Sequence, residues 1–282
     1  MKSLAIAVFA VLGSPLVAIT PLAAEDGQPM EAGRRRELSE TLSLSVNNLG
    51  LQNVLELTWR QPLSASRNSL LSEAHTAFGV SHTLTPSYTR VGAWAEVSPL
   101  SVLNLRAGVE PTAYFGNFRA LMSFDSYGDS FSSDELAQRG GGSFGTAGRI
   151  YLSPSLRMKA GPVVAVARAD VEWWKSDASG PLFYEPARDT LLKASGDRLL
   201  NTSSMLLYQH ELGPRGQLAA GLIHQLTYVA AAPANQIQRL GVVVARQFGA
   251  KRFGLQKPRI LATVAYYLDD PSKKGQWSAA VA

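Results

Sequence analysis

Residues 101–115, S-V-L-N-L-R-A-G-V-E-P-T-A-Y-F, place Leu103, Leu105, Ala107 and Val109 on one parity and Asn104, Arg106, Gly108 and Glu110 on the other. An extended strand with one apolar and one charged face follows from that alternation, because successive side chains of a strand point to opposite sides. A helix would scatter the charges around its circumference. The same rhythm returns along the chain. Residues 41–46 set Leu42, Leu44 and Val46 against Ser43 and Ser45, and after the turn at 47–50 Leu55, Leu57 and Trp59 oppose Glu56, Thr58 and Arg60. In 74–85 the parity of His75, Ala77, Gly79, Ser81 and Thr83 is expected to face inward. In 88–98 Val91, Ala93, Ala95 and Val97 are expected outward and Arg90, Gly92, Trp94 and Glu96 inward. Further strands are read at 144–152, after a tight turn at Ser153-Pro154-Ser155 at 156–174, then at 203–212, 217–229, 236–248, 259–268 and 276–282.

These strands are long for a soluble half-exposed sheet, where roughly 5–6 residues is usual. About ten residues at ~3.4 Å each, tilted ~40°, climb about 25 Å, the height of the apolar band of a membrane barrel. The count is about twelve strands. Short turns at 153–155 and 213–216 fall at one end and the long connections 116–143 and 175–202 at the other, the asymmetry of such barrels. A closed ring of this size with Ala and Val inside would be left hollow, so the apolar face belongs outside and the charged face inside. Trp59, Trp173, Tyr266 and Trp277 lie near strand ends, where aromatic girdles belong. The rival architecture, a β-sandwich, calls for shorter strands.

Ahead of the strands, Lys2, the apolar run 4–12, the break at Gly13-Ser14-Pro15 and the small residues Ala23-Ala24 have the order of a secretory signal peptide. The expected organisation is a signal peptide over 1–24, a flexible periplasmic lead-in over 25–37 and a barrel over 38–282. Over 38 to the end the alternating stretches resemble bacterial outer-membrane β-barrel proteins as a class. That resemblance implies an all-β antiparallel transmembrane barrel, residence in the cell outer membrane and outer-membrane lipid as a partner.

Charge adds a lumen. On this register Glu56, Arg60, Arg90, Glu96, Arg106, Glu110, Arg168, Asp170 and Glu172 point inward, four positive against five negative. Such near balance fits ion pairs across the interior or a weakly selective pore. Arg246 falls on the lipid face, tolerable near an interface and costly in mid-membrane. The net charge of +5 is spread along the chain and leaves no nucleic-acid footprint. No cysteine is present, which removes disulfides, thiolate chemistry and a lipid-anchor cysteine.

Catalytic chemistry has one candidate, His75, on the inward parity with Ser81 and Thr83; no enzyme motif is matched and no catalytic residue is assigned. Glycines 140–142 and 145 lack the lysine and the helix of a phosphate loop. Asp125, Asp129 and Asp134 lack the company of a calcium loop, so no metal or other cofactor is expected. The first functional expectation is a passive, porin-like channel for small hydrophilic solutes. The alternatives are a barrel enzyme hydrolysing lipid or peptide, and a structural or adhesive surface barrel with a plugged lumen.

Overall fold

The computed structural model describes residues 6–9, 35–47, 50–66, 68–249 and 258–282. Twelve antiparallel strands close into a ring: β1 Arg35–Val46, β2 Gly50–Pro62, β3 His75–Leu84, β4 Tyr88–Leu100, β5 Leu103–Phe115, β6 Phe144–Ala160, β7 Val163–Ser176, β8 Asp197–Glu211, β9 Gly216–Val229, β10 Ile237–Phe248, β11 Arg259–Asp269 and β12 Trp277–Val281. Each pairs with its neighbours in sequence, and β12 pairs back onto β1 through Ala279↔Val46, Ala280↔Ser45 and Val281↔Leu44. The backbone of Ile6–Phe9 runs parallel to β1 at Leu38–Thr41. The expected signal peptide and lead-in otherwise fall at 1–5 and 10–34, outside the described residues, and the first barrel strand begins at Arg35 rather than at 38.

The count of twelve agrees with the sequence reading, and several boundaries do not: the strand expected at 203–212 begins at Asp197, so its first six residues come from the expected loop 175–202. Ser153-Pro154-Ser155 is no turn. Strand β6 runs through it, with Ser153 paired to Arg106 and Pro154 to Leu105 of β5, and the chain reverses at Gly161-Pro162 instead. Pro154 lies on the outward parity, while Gly161 supplies the positive φ of 57° that the real turn requires. The expected strand over 156–174 is therefore the end of β6 followed by β7.

Alternation sets the two faces of the wall. Val91, Ala93 and Ala95 of β4 are exposed on the outside, while Arg90, Gly92, Trp94 and Glu96 are buried within. Strand β5 follows suit, with Leu105 and Val109 exposed and Glu110 and Tyr114 buried. Around the ring the outward face carries exposed apolar side chains, among them Leu55, Phe78, Ile150, Leu206, Leu222, Val242 and Val264. Part of the interior departs from the expected polar lining. Near the short-turn end of β7 to β10 the inward residues Val164, Val166, Met205, Leu207, Ala219, Ile223 and Val243 form a buried apolar cluster. Here both parities are apolar, as at Leu206-Leu207 and Val163-Val164, so alternation gives no sign of a second dry surface.

Large inward side chains are accommodated by glycine on neighbouring strands. A Cβ at Gly79 would lie 2.4 Å from the Trp94 ring and 2.6 Å from the Leu57 carbonyl, and one at Gly108 would meet the Tyr151 ring and hydroxyl at 2.6–2.8 Å. Gly79→Val is expected to cost about 1–3 kcal/mol through displacement of Trp94. Gly148→Ala, where a Cβ meets nothing within 4 Å, is the control, and urea unfolding followed by tryptophan fluorescence separates the two.

A plugged interior as the candidate functional site

The long connection 177–196 turns into the barrel. Its hairpin, Leu182–Glu185 paired with Thr190–Lys193, is joined by Ser123–Phe124 of the connection 116–143 into a three-stranded sheet. The short helix α1, Ser133–Gln138, packs beside it, with the Ser132 hydroxyl accepting from the Glu135 N–H at its start. Met122, Phe124, Phe131, Leu136, Leu182, Tyr184 and Leu191 make the apolar core of this cap. The cap is tied down at its edges. The Tyr127 hydroxyl donates to Asp197, Asn235 donates to the Tyr127 carbonyl at 2.8 Å, and the Lys273 ammonium meets the Asp189 carboxylate.

The hairpin tip carries two charges into the ring. Glu185 is fully buried; it accepts from Arg90 at 3.1 Å and from the Tyr114 hydroxyl. Arg188, 3% exposed, donates through Nε and Nη2 to Glu172 of β7. Glu172, fully buried, also accepts from Arg149 at 2.7 Å and from the Trp174 indole at 2.7 Å. Arg149 continues to Glu110 at 2.7 Å, and Arg90 lies 3.8 Å from the same carboxylate. Tyr88 and Trp174 stack against the Arg90 guanidinium at 4.8 and 5.2 Å. One ionic network thus joins four wall strands to the plug.

The remaining charges form smaller groups nearer the short-turn end. Arg106 donates to Glu96 at 2.8 Å and to Glu56 at 3.1 Å, with its guanidinium 3.7 Å from the Trp94 ring centre. Arg168 meets Asp170 at 2.7 Å, and the Ser153 hydroxyl donates to the same oxygen. Arg60 pairs with Glu37 at 3.6 Å and with none of the other eight residues expected in the lumen. The four groups Arg90, Glu110, Glu172 and their partner Arg149 therefore belong together, Glu56, Glu96 and Arg106 form a second set, and Arg168 with Asp170 a third.

Three members of the main network, Arg149, Glu185 and Arg188, are not among the residues expected in the lumen. Arg149 alternates with Ala147, Tyr151 and Ser153 against Gly148, Ile150 and Leu152, a parity signal that does place it inward. Glu185 and Arg188 lie in a loop with no periodicity, and only the fold brings them to the wall.

The geometry at His75 bears on catalysis. Its Nδ1 lies 2.8 Å from the Glu73 carbonyl and its Nε2 3.1 Å from Glu96, so both ring nitrogens face acceptors. Among the described residues no hydroxyl group is hydrogen-bonded to the ring. Among the described residues no group of three or more His, Asp or Glu is arranged to hold a metal ion. Asp129 accepts from the backbone N–H groups of Asp125 and Ser126 and shapes a turn. Arg246 faces outward two residues from the end of β10 and donates to the Arg215 carbonyl at 2.9 Å.

In the cap, burial and then the Asp189 carboxylate push the Tyr184 hydroxyl well above its ordinary range, and it donates to Asp189 at 2.7 Å. Asp270 is raised as well, by burial first and by the Asp189 charge second. Its Oδ1 accepts from the Ser272 and Lys273 N–H groups at 2.7 Å, while Oδ2 is buried without a hydrogen bond. These features define a closed antiparallel β-barrel with an ion-paired, capped interior. No protein-family model matches the chain, and neither does any curated protein.

Two outcomes follow. Glu172→Gln leaves Arg149 and Arg188 buried against a neutral amide and is expected to cost about 3–5 kcal/mol in denaturant unfolding. Because the folded-state value for Asp270 lies above its unfolded value, ionisation there removes stability as pH rises through the folded value. Asp270→Asn, which keeps the Oδ1 acceptor, is expected to melt higher than the wild type at neutral pH. The difference should vanish once the pH falls below the ordinary carboxylate range.

Proposed function

We propose that this protein is an outer-membrane β-barrel whose lumen is closed at rest by the plug hairpin. The observation that carries this reading is the pair of tip charges, Glu185 and Arg188, buried in the ring against Arg90 and Glu172. An open passive pore needs a continuous wet path, and charges this deeply paired do not offer one. The structural barrel with a plugged lumen is therefore favoured over the porin-like channel. A hydrolase centred on His75 has less support, because the ring contacts the Glu73 carbonyl and Glu96 and no hydroxyl group.

Membrane residence has separate support in the outer wall. Twelve strands mostly of 10–17 residues carry an exposed apolar band, tall enough at ~3.4 Å per residue and ~40° of tilt to cross lipid. Aromatic side chains mark both edges of that band. Trp59 stacks on Phe78 at 5.2 Å near the short-turn end, and Tyr266 meets Trp277 at 5.0 Å near the capped end, where Trp173 is also exposed. Side chains of this kind prefer the headgroup boundary.

The refolded protein should migrate faster on SDS gels before boiling than after, as intact barrels do, and should be electrically silent in a planar bilayer. A charge-neutral double variant, Glu185→Ala with Arg188→Ala, leaves the wall pairs Arg149–Glu172 and Arg90–Glu110 in place and is expected to pass current. Steady porin-sized conductance from the wild type would overturn the closed lumen.

A further inference from the structure

We propose that the outward face of β7 and β8 at the capped end holds the phosphate of a membrane lipid, through Lys175 and Arg198. The inference rests on the outer-membrane reading above. Strand parity puts Trp173 and Lys175 on the outside of β7, and both are exposed. Arg198 of β8 is exposed too, and it is the register partner of Trp173. The two cations thus sit on neighbouring strands two register positions apart, Arg198 beside an aromatic of the upper edge and Lys175 just beyond it. Lys175 stands two residues past Trp173, about 5 Å higher along a tilted strand. That is the depth of lipid phosphates if Trp173 marks the boundary.

Their placement is otherwise unexplained. Among the described residues neither cation has an acidic side chain within ion-pair distance, although carboxylates lie close by. Asp177 is occupied by the Thr146 N–H at 2.7 Å and the Thr146 hydroxyl at 2.9 Å. Asp197 accepts from the backbone of Lys193 and Arg198 and from Tyr127. The neighbouring outward positions are apolar: Val171 and Ala169 below Trp173, Leu200 after Arg198. Two unpaired cations above an apolar wall complement an acidic headgroup with its chains lying down that wall, and a free anion would use only the upper half of such a surface.

The test uses the full chain in vesicles of phosphatidylcholine, with or without phosphatidic acid, and native mass spectrometry of the lipids retained after extraction. The wild type should keep phosphatidic acid over phosphatidylcholine, and Lys175→Gln with Arg198→Gln should lower that preference about fivefold for each cation removed. Millimolar inorganic phosphate should not displace the lipid. Equal retention by wild type and variant, or no preference in the wild type itself, would overturn the site. Displacement by inorganic phosphate would replace it with a simple anion site. The heat-dependent gel shift separates the two levels: proteins that shift without lipid preference leave the outer-membrane reading standing, whereas a wild type that never inserts removes both.

Discussion

The fully buried carboxylate of Glu172 is the point on which the interior turns. Taking one carboxylate and two guanidinium groups out of water is expensive, and the cost is offset by the donors that converge on the carboxylate, although Nη1 of Arg188 is buried without a hydrogen bond. Arg149 from β6, Arg188 from the plug and the Trp174 indole all converge on it. Arg149 then carries the network to Glu110, and Glu185 brings Arg90 and Tyr114 into it from the other side of the hairpin tip. Wall and plug therefore stabilise one another. A plug lifted away would leave Glu172 with one guanidinium instead of two and Arg90 without its plug carboxylate.

This arrangement explains why the interior charges do not behave as one set. Near the capped end they are sealed and shared among wall and hairpin. Toward the short turns, Arg106, Glu96 and Glu56 pair along the wall, with Glu96 buried and Arg106 and Glu56 partly accessible. The opposite wall at that level is apolar, with Val164, Met205, Leu207 and Ile223 packed together. A ring of twelve strands is too wide for Ala and Val alone to fill. It is filled here from three sources: long charged side chains, an apolar cluster and a hairpin delivered from outside the wall.

The outer surface follows a simpler rule. Glycines at 79 and 108 let Trp94 and Tyr151 lie flat against the inside of the wall, so large rings need not push into the centre. The outside is left to Leu, Val, Ala and Ile, with rings near the edges. Lys175 and Arg198 stand at the upper edge of that band, exposed on neighbouring strands beside Trp173.

The period of two was enough to determine twelve strands, their inward and outward faces and the inward parity of Arg90, Glu96, Arg106, Glu110, Asp170 and Glu172, because each strand reports its own two environments in its own residues. It misplaced a turn at Ser153-Pro154-Ser155, since proline and serine also suit an outward strand position. It gave no warning of the apolar interior at Val164 and Leu207, where both faces are dry and alternation carries no contrast. The partners of the inward charges, and the insertion of Glu185 and Arg188, were decided only by the tertiary structure. Pairing across a ring depends on strand register, closure and the path of a non-periodic loop, and none of these is written in the spacing of residues along one strand.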